Sequence, residues 1–182
     1  MKEEVRKAFI FSPVILEGIG ENLKKRIEQY RTEIDNCLAV SIHIRRGDYL
    51  ENSEVYGGNC TQKYYEAAIA GMKEQFPEAV FYVFSNDDAW TGKWCREQEE
   101  KWGMKFVAVT DTPEELGYLD MYLMSRCRHH VIANSSFSWW GAWLNAKTGK
   151  KVIAPANWFN NQDCYDIYTS EMVKITAKGE VV

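Results

Sequence analysis

Two adjacent arginines and an aspartate close the stretch VSIHIRRGDYL, Val40 to Leu50, directly after five residues of strand-like alternation. Guanidinium groups beside a buried strand are costly unless something anionic meets them. Arginine is the side chain suited to bidentate recognition of phosphate. Strand alternation puts His43 and Arg45 on one face, with Ile42 and Ile44 on the other. Arg46 and Asp48 then lie at the turn where the chain leaves the sheet, and Gly47 lets that turn adopt a backbone other residues resist. An internal arginine–aspartate salt bridge is the alternative. An RGD adhesion tripeptide is a third reading, at odds with the end of a buried strand.

Three further groups have types and spacing suited to a polar ligand. In NSSFSWWGAWLN, Asn134, Ser135, Ser136 and Ser138 lead from a strand into a helix. The free N–H groups and dipole of a helix start form an anion site, although Asn and Ser are equally the favoured helix caps. No G-x-G-x-x-G loop occurs in the chain. In FSNDDAW, Asn86 and Asp87 end a strand and could present an amide and a carboxylate to the edge of a base, or simply cap the next helix. Asp120 falls between Leu119 and the face of Leu123. A partly buried carboxylate needs a partner, so it either orients an arginine or forms a structural ion pair. His43 could touch a base, and for His129 and His130 a place in the sheet is the simpler reading.

The elements that must position these groups follow from periodicity. Helical spacing predicts a helix over Asn22–Ile34, with Leu23, Ile27, Tyr30 and Ile34 on one face. A second helix starts after Thr61 as N-cap and carries Tyr65, Ala68, Ile69, Met72 and Phe76. A third covers Asp87–Trp102. TPEEL reads as a helix start, with Thr112 as cap, Pro113 in the first turn and Glu115 closing a capping box; Leu116, Leu119 and Leu123 bury one face. Strands are expected at Leu38–Ile44, Val80–Phe84, Lys105–Val109, His130–Asn134 and Lys151–Ala154. The last helix, with Phe137, Trp139, Trp140, Trp143 and Leu144, is apolar nearly all round, so its tryptophans belong to the core. The opening Met1–Pro13 has no evident partner, and the tail after Trp158 carries no clear pattern. Strands joined by helices imply an α/β fold, a Rossmann-like parallel sheet with helices on both faces. In such sheets ligands sit outside the carboxyl ends of the strands, where these polar groups cluster.

The chain has 182 residues, 46% hydrophobic and 26% charged, with a net charge of −4. That is one domain with a full core. The balance argues against a nucleic-acid partner and for a small anion met locally. Five dispersed cysteines, without a Cys-x-x-Cys pair, read as reduced thiols and argue against both a disulfide framework and a metal site. Without an apolar run long enough to span a bilayer, no transmembrane segment is expected, and the expected location is cytoplasmic, peripheral to a membrane at most.

HIRRGDY together with ANSSFSWWGAWL, and with FSNDDAW and LDMYLMSRCRH between them, resembles glycosyltransferase family 11, the alpha-1,2-fucosyltransferases. The likeness runs from about Val40 to Trp158. It implies the C-terminal half of a GT-B type enzyme and an inverting, metal-independent transfer of L-fucose from GDP-fucose to the 2-hydroxyl of a galactoside, with no cofactor. By similarity Arg46 would hold the diphosphate with Arg45 in support, and Ser135 and Ser136 would cradle phosphate. His43 and Asn86, helped by Asp87, would meet guanine. Asp48 is the candidate for general base, with Glu51 and Glu54 in the following loop behind it. The family's Gly-Gly-x-Gly-Asn-Gln loop does not occur in this chain. Residues 1–37 therefore read as an extension leading from an N-terminal lobe, and residues 38–182 as the GDP-sugar-binding domain. The alternative is a GDP-binding domain without turnover of its own. AFIFSPVIL is the expected surface for packing with that lobe or for self-association.

Overall fold

The computed structural model describes residues 2–46 and 53–182. Six strands form one parallel sheet: β1 (Ala39–Ile44), β2 (Val80–Ser85), β3 (Lys105–Val109), β4 (His129–Val131), β5 (Val152–Pro155) and β6 (Met172–Ile175), in the order β3-β2-β1-β4-β5-β6. The helices are α1 (Lys2–Ala8), α2 (Glu21–Asp35), α3 (Ser53–Tyr56), α4 (Gln62–Gln75), α5 (Asp88–Trp102), α6 (Tyr118–Arg126) and α7 (Ser136–Leu144). The strand order reverses between β1 and β4. A topological switch point of this kind opens a crevice beyond the carboxyl ends of the two strands.

β1 is buried along its whole length, and its alternation sends side chains to two cores. Val40, Ile42 and Ile44 join Phe81 and Val83 of β2 beneath α4, whose Tyr64, Tyr65, Ala68, Ile69 and Met72 are buried. On the opposite face Ala39 joins Tyr82, Phe84 and Val109 against Leu119, Leu123 and Met124 of α6 and Ile27 and Ile34 of α2. The helix before residue 38 thus contributes to the core of the sheet. Thr61 caps α4 as its sequence indicates, its hydroxyl accepting from the Tyr64 N–H at 3.2 Å.

Four elements depart from expectation. TPEEL does not start the helix. Glu114–Leu116 is a single 3-10 turn, α6 begins only after Gly117, and the Thr112 hydroxyl is turned to Asp120. The chain leaves β4 at Val131, so Ile132–Asn134 is a buried connection to α7. The tail supplies β6 at the sheet edge. Finally, α1 does find a partner: the Arg6 Nε donates to the Trp143 carbonyl at 3.1 Å, and Phe9 lies 5.1 Å from Trp140 between ring centroids. The tryptophans of α7 accordingly form a cluster with α1 rather than a fully enclosed core, and only Trp143 of the three is buried.

Candidate functional site

Arg46 leaves the carboxyl end of β1, and its surroundings fix it. The Asn86 side chain closes on its backbone from both sides, Oδ1 accepting from the Arg46 N–H at 2.9 Å and Nδ2 donating to the Arg46 carbonyl at 3.3 Å. The Arg46 Nε donates to Asp87 Oδ2 at 3.2 Å. The guanidinium also lies over the Trp90 indole, 4.2 Å from the ring centroid. Asp87 has a second task, because its Oδ1 accepts from the Trp90 N–H at 3.1 Å and so caps α5. One carboxylate therefore positions both the arginine and the aromatic plane beneath it.

The neighbouring strand, β4, leads through Asn134 and Ser135 into α7. Both Asn134 and Ser135 are buried, whereas Ser136 is exposed. The Asn134 Nδ2 donates to the Trp158 carbonyl at 3.0 Å, and its Oδ1 accepts from the Cys60 thiol. Ser138 is also occupied structurally, its hydroxyl reaching back to the Ala133 and Ser135 carbonyls. Ser135 stands at the N-cap position, yet its own side chain makes no capping hydrogen bond. Among the described residues, no side chain takes up the first-turn N–H groups of α7, the groups that a helix start offers to an anion. Phe137 in that first turn approaches His43 to 5.5 Å between ring centroids, which brings the start of α7 against the end of β1.

A cleft of about 400 Å³ lies beside this junction, lined by His43, Arg45, Ser85, Asn86, Thr112, Asp120 and Phe137, among others. His43 is buried, and among the described residues its Nδ1 and the Ser85 hydroxyl have no hydrogen-bond partner. Burial, followed by the charge of Arg45, lowers the His43 pKa to about 3, so the ring is neutral. Burial raises Asp120 to about 6; the hydrogen bond from Thr112 Oγ1 at 2.8 Å acts against this and the charge of Asp88 adds to it. Among the described residues no cation pairs with Asp120, contrary to both readings of it from the sequence. Asp88 fastens the exit of β3: its Oδ2 accepts from the Asp111 N–H at 2.7 Å, and Asp111 stands at φ 64°. Among the described residues no group of three or more His, Cys, Asp or Glu side chains converges. No helix among them is long and apolar enough to cross a membrane.

The sequence model of glycosyl transferase family 11 matches residues 1–176. The chain belongs to glycosyl transferase family 11. It is 39% identical over 166 residues to an alpha-1,2-colitosyltransferase of Escherichia coli, a match covering 89% of this chain and 52% of that protein. The O-antigen biosynthesis glycosyltransferase WbnK of Escherichia coli is 38% identical over 141 residues, 76% of this chain and 45% of its own length. Galactoside alpha-(1,2)-fucosyltransferase 2 of Gorilla gorilla gorilla is 30% identical over 121 residues, 65% of this chain and 33% of its own. The chain thus spans about half the length, or less, of the curated relatives it matches. Among solved structures, POFUT1 in complex with GDP-fucose superposes with a TM-score of 0.53 at 14% identity, covering 72% of this chain and 46% of that one. The shared feature at that identity is the fold.

In this family 11 chain the site residues fall into three sets. His43, Arg45, Asn86 and Asp120 line one cleft; Arg46 and Asp87 form an ion pair beside it; Ser135 and Ser136 begin the helix on the adjacent strand. In the structure Asn86 bonds to the backbone of Arg46, and Asp87 serves as a helix cap and an ion pair. Asp48 and Glu51 lie outside the described residues; Glu54 lies in α3. Trp90 and Thr112 join the site through the fold: Trp90 beneath Arg46, Thr112 on Asp120. Trp90 follows Asp87 by three, the spacing of an Asx cap and its bonded N–H, and that spacing is the signal that marks its position.

Proposed function

We propose that this chain is the donor-binding half of a family 11 fucosyltransferase, transferring L-fucose from GDP-fucose to the 2-hydroxyl of a galactoside. The observation that carries the reading is the pre-set Arg46, held by Asp87, Asn86 and Trp90 on the strand next to an uncapped helix start. An arginine fixed in this way loses little freedom on meeting a diphosphate. The α7 N–H groups and Ser136 meet the same anion from the other strand. Asp120 takes the base: its carboxylate is suited to accept from the ring N–H and exocyclic amine of guanine, and His43 offers its orphan Nδ1. Relatives named for alpha-1,2 transfer, and for galactosides, support the linkage and the acceptor class.

In the reaction the acceptor oxygen attacks the anomeric carbon, the bond from that carbon to the β-phosphate oxygen breaks, and GDP departs with the electron pair. Arg46 and the start of α7 stabilise the charge growing on the β-phosphate. The acceptor proton passes to a base, for which Asp48 is the candidate. The work is cytoplasmic in this reading, at most peripheral to a membrane, and needs neither cofactor nor metal. The N-terminal part of a family 11 protein would complete the cleft, packing against the exposed Phe9, Ile10 and Val14.

The colitosyltransferase relative motivates a second reading, in which the donor carries colitose. Incubating the protein, alone and with the N-terminal half of a family 11 relative, with lactose and a panel of GDP-sugar donors tests both. Fucosylated lactose formed only with the second half present is expected. Transfer of colitose in preference to fucose would replace the donor, and turnover of about 1 per second by this chain alone would overturn the half-site reading.

A further inference from the structure

A second cleft, of about 570 Å³, lies on the other side of the α7 start, between Ser136 and Trp139 and the loop carrying Gln162, Asp163, Tyr165 and Asp166. We propose that this cleft is a subsite for a neutral saccharide, holding the acceptor glycan beside the leaving diphosphate.

Its chemistry is that of a sugar site. Tyr165 is 78% exposed, which is unusual for a large aromatic ring and leaves a face free for the C–H side of a pyranose. Around it stand two carboxylates, an amide and a hydroxyl, which together accept from and donate to sugar hydroxyls. Among the described residues no lysine or arginine lines the cleft, so it favours a neutral sugar and would repel an acidic one through Asp163 and Asp166. The Tyr165 hydroxyl donates to Asp163 Oδ2 at 3.1 Å, tying ring and carboxylate together.

The loop is also built to stay in place. The Trp139 indole N–H donates to the Ile167 carbonyl at 2.7 Å, and the Tyr168 hydroxyl is shared between the Pro155 and Ala156 carbonyls. Its start is fastened to the segment that follows the arginine turn. The Asn160 side chain donates to the Glu54 and Gly57 carbonyls at 3.1 and 3.0 Å, and its backbone N–H to Val55 at 3.0 Å. Ser136 belongs at once to this cleft and to the helix start assigned to phosphate. A saccharide on Tyr165 would therefore lie next to the reacting bond.

The subsite rests on the nucleotide reading above, and one experiment separates the two. Saturation-transfer NMR is recorded on the chain with methyl β-D-galactopyranoside, and separately with methyl β-D-galacturonide, each with and without GDP. GDP affinity is followed in parallel by calorimetry. Transfer to the neutral galactoside is expected, with roughly tenfold or greater weakening in Tyr165→Ala, retention in Tyr165→Phe, and an unchanged GDP affinity in both. Asp166→Asn is expected to narrow the gap between neutral and acidic sugar. Absence of transfer from the wild-type chain, equal transfer in Tyr165→Ala, or a preference for the galacturonide would each overturn the subsite. Loss of GDP binding alone would count against the nucleotide reading and leave the saccharide result standing.

Discussion

Arg46 and Trp90 are stacked, the guanidinium carbon 4.2 Å from the centre of the indole ring, and Asp87 holds both of them. The arginine is thereby aimed before any anion arrives. Trp90→Ala should leave the fold intact and weaken GDP binding roughly three- to tenfold, the range of a partly desolvated cation–π contact. Calorimetric titration of GDP checks this, and an unchanged affinity would show that the stack is only incidental.

Asp87 performs two tasks that can be separated. Asp87→Ser keeps an oxygen for the Trp90 N–H but removes the charge beside Arg46. It should hold the melting temperature near wild type and weaken GDP binding. Asp87→Ala should lose both, with about 1 kcal/mol of stability gone through the missing cap. Paired thermal melts and titrations read the difference. Equal stability loss in both variants would mean that the cap is not what Asp87 contributes.

Asp120 is expected to give GDP binding a pH dependence. Its native pKa, raised to about 6 by burial, lies above the ordinary aspartate value of about 3.9. The folded protein therefore binds the proton more tightly than the unfolded chain, and the cost of ionising Asp120 grows as pH rises from about 4 to about 6 and is fully present above that. Asp120→Asn should raise the melting temperature at pH 7.5 and lose that advantage by pH 4. GDP affinity in the wild type should fall as pH drops below about 6, as the carboxylate loses its capacity to accept. A flat profile in wild type and variant alike would remove Asp120 from base recognition.

His43 should contribute nothing to titration between pH 5 and 8, because burial and Arg45 keep its pKa near 3. Its Nδ1 lacks a partner, so His43→Phe should be neutral or stabilising while weakening GDP. Thermal melts and calorimetry test this together; stability loss without change in affinity would make His43 purely structural.

The sheet was legible because β2 is a continuous apolar run and β1 alternates, with Ser41 and His43 between apolar neighbours. VFYVF has the length and composition of a strand buried on both faces, and Thr61 and Asp87 cap the helices that follow them. β6 was not legible, since MVKI sits at an edge with Val173 and Lys174 only partly covered, which blunts the apolar signal. Thr112 misled for a related reason: a threonine before proline and two glutamates has the composition of a cap, and only the fold brings Asp120 within reach of its hydroxyl. At the site, Arg45 and Asn86 fall just past the ends of β1 and β2, whereas Asn134 lies three residues beyond β4, and partners shape what each side chain can do. Asn86 could serve a base or the backbone of Arg46, two tasks that use the same atoms, and the choice depends on a neighbour 40 positions away. Arg6 and Phe9 found Trp143 and Trp140 across more than 130 positions, beyond any local pattern.

The most direct measurement of the account is GDP binding by calorimetry in the presence of a chelator, for wild type, Arg46→Ala and Arg45→Ala. Binding should persist without free divalent metal, and Arg46→Ala should weaken it by about 1.5–3 kcal/mol, the worth of a charge-assisted contact. Arg45→Ala should weaken it less. A strict requirement for metal, or an Arg46→Ala chain that binds GDP as tightly as wild type, would contradict the claim that this arginine holds the diphosphate.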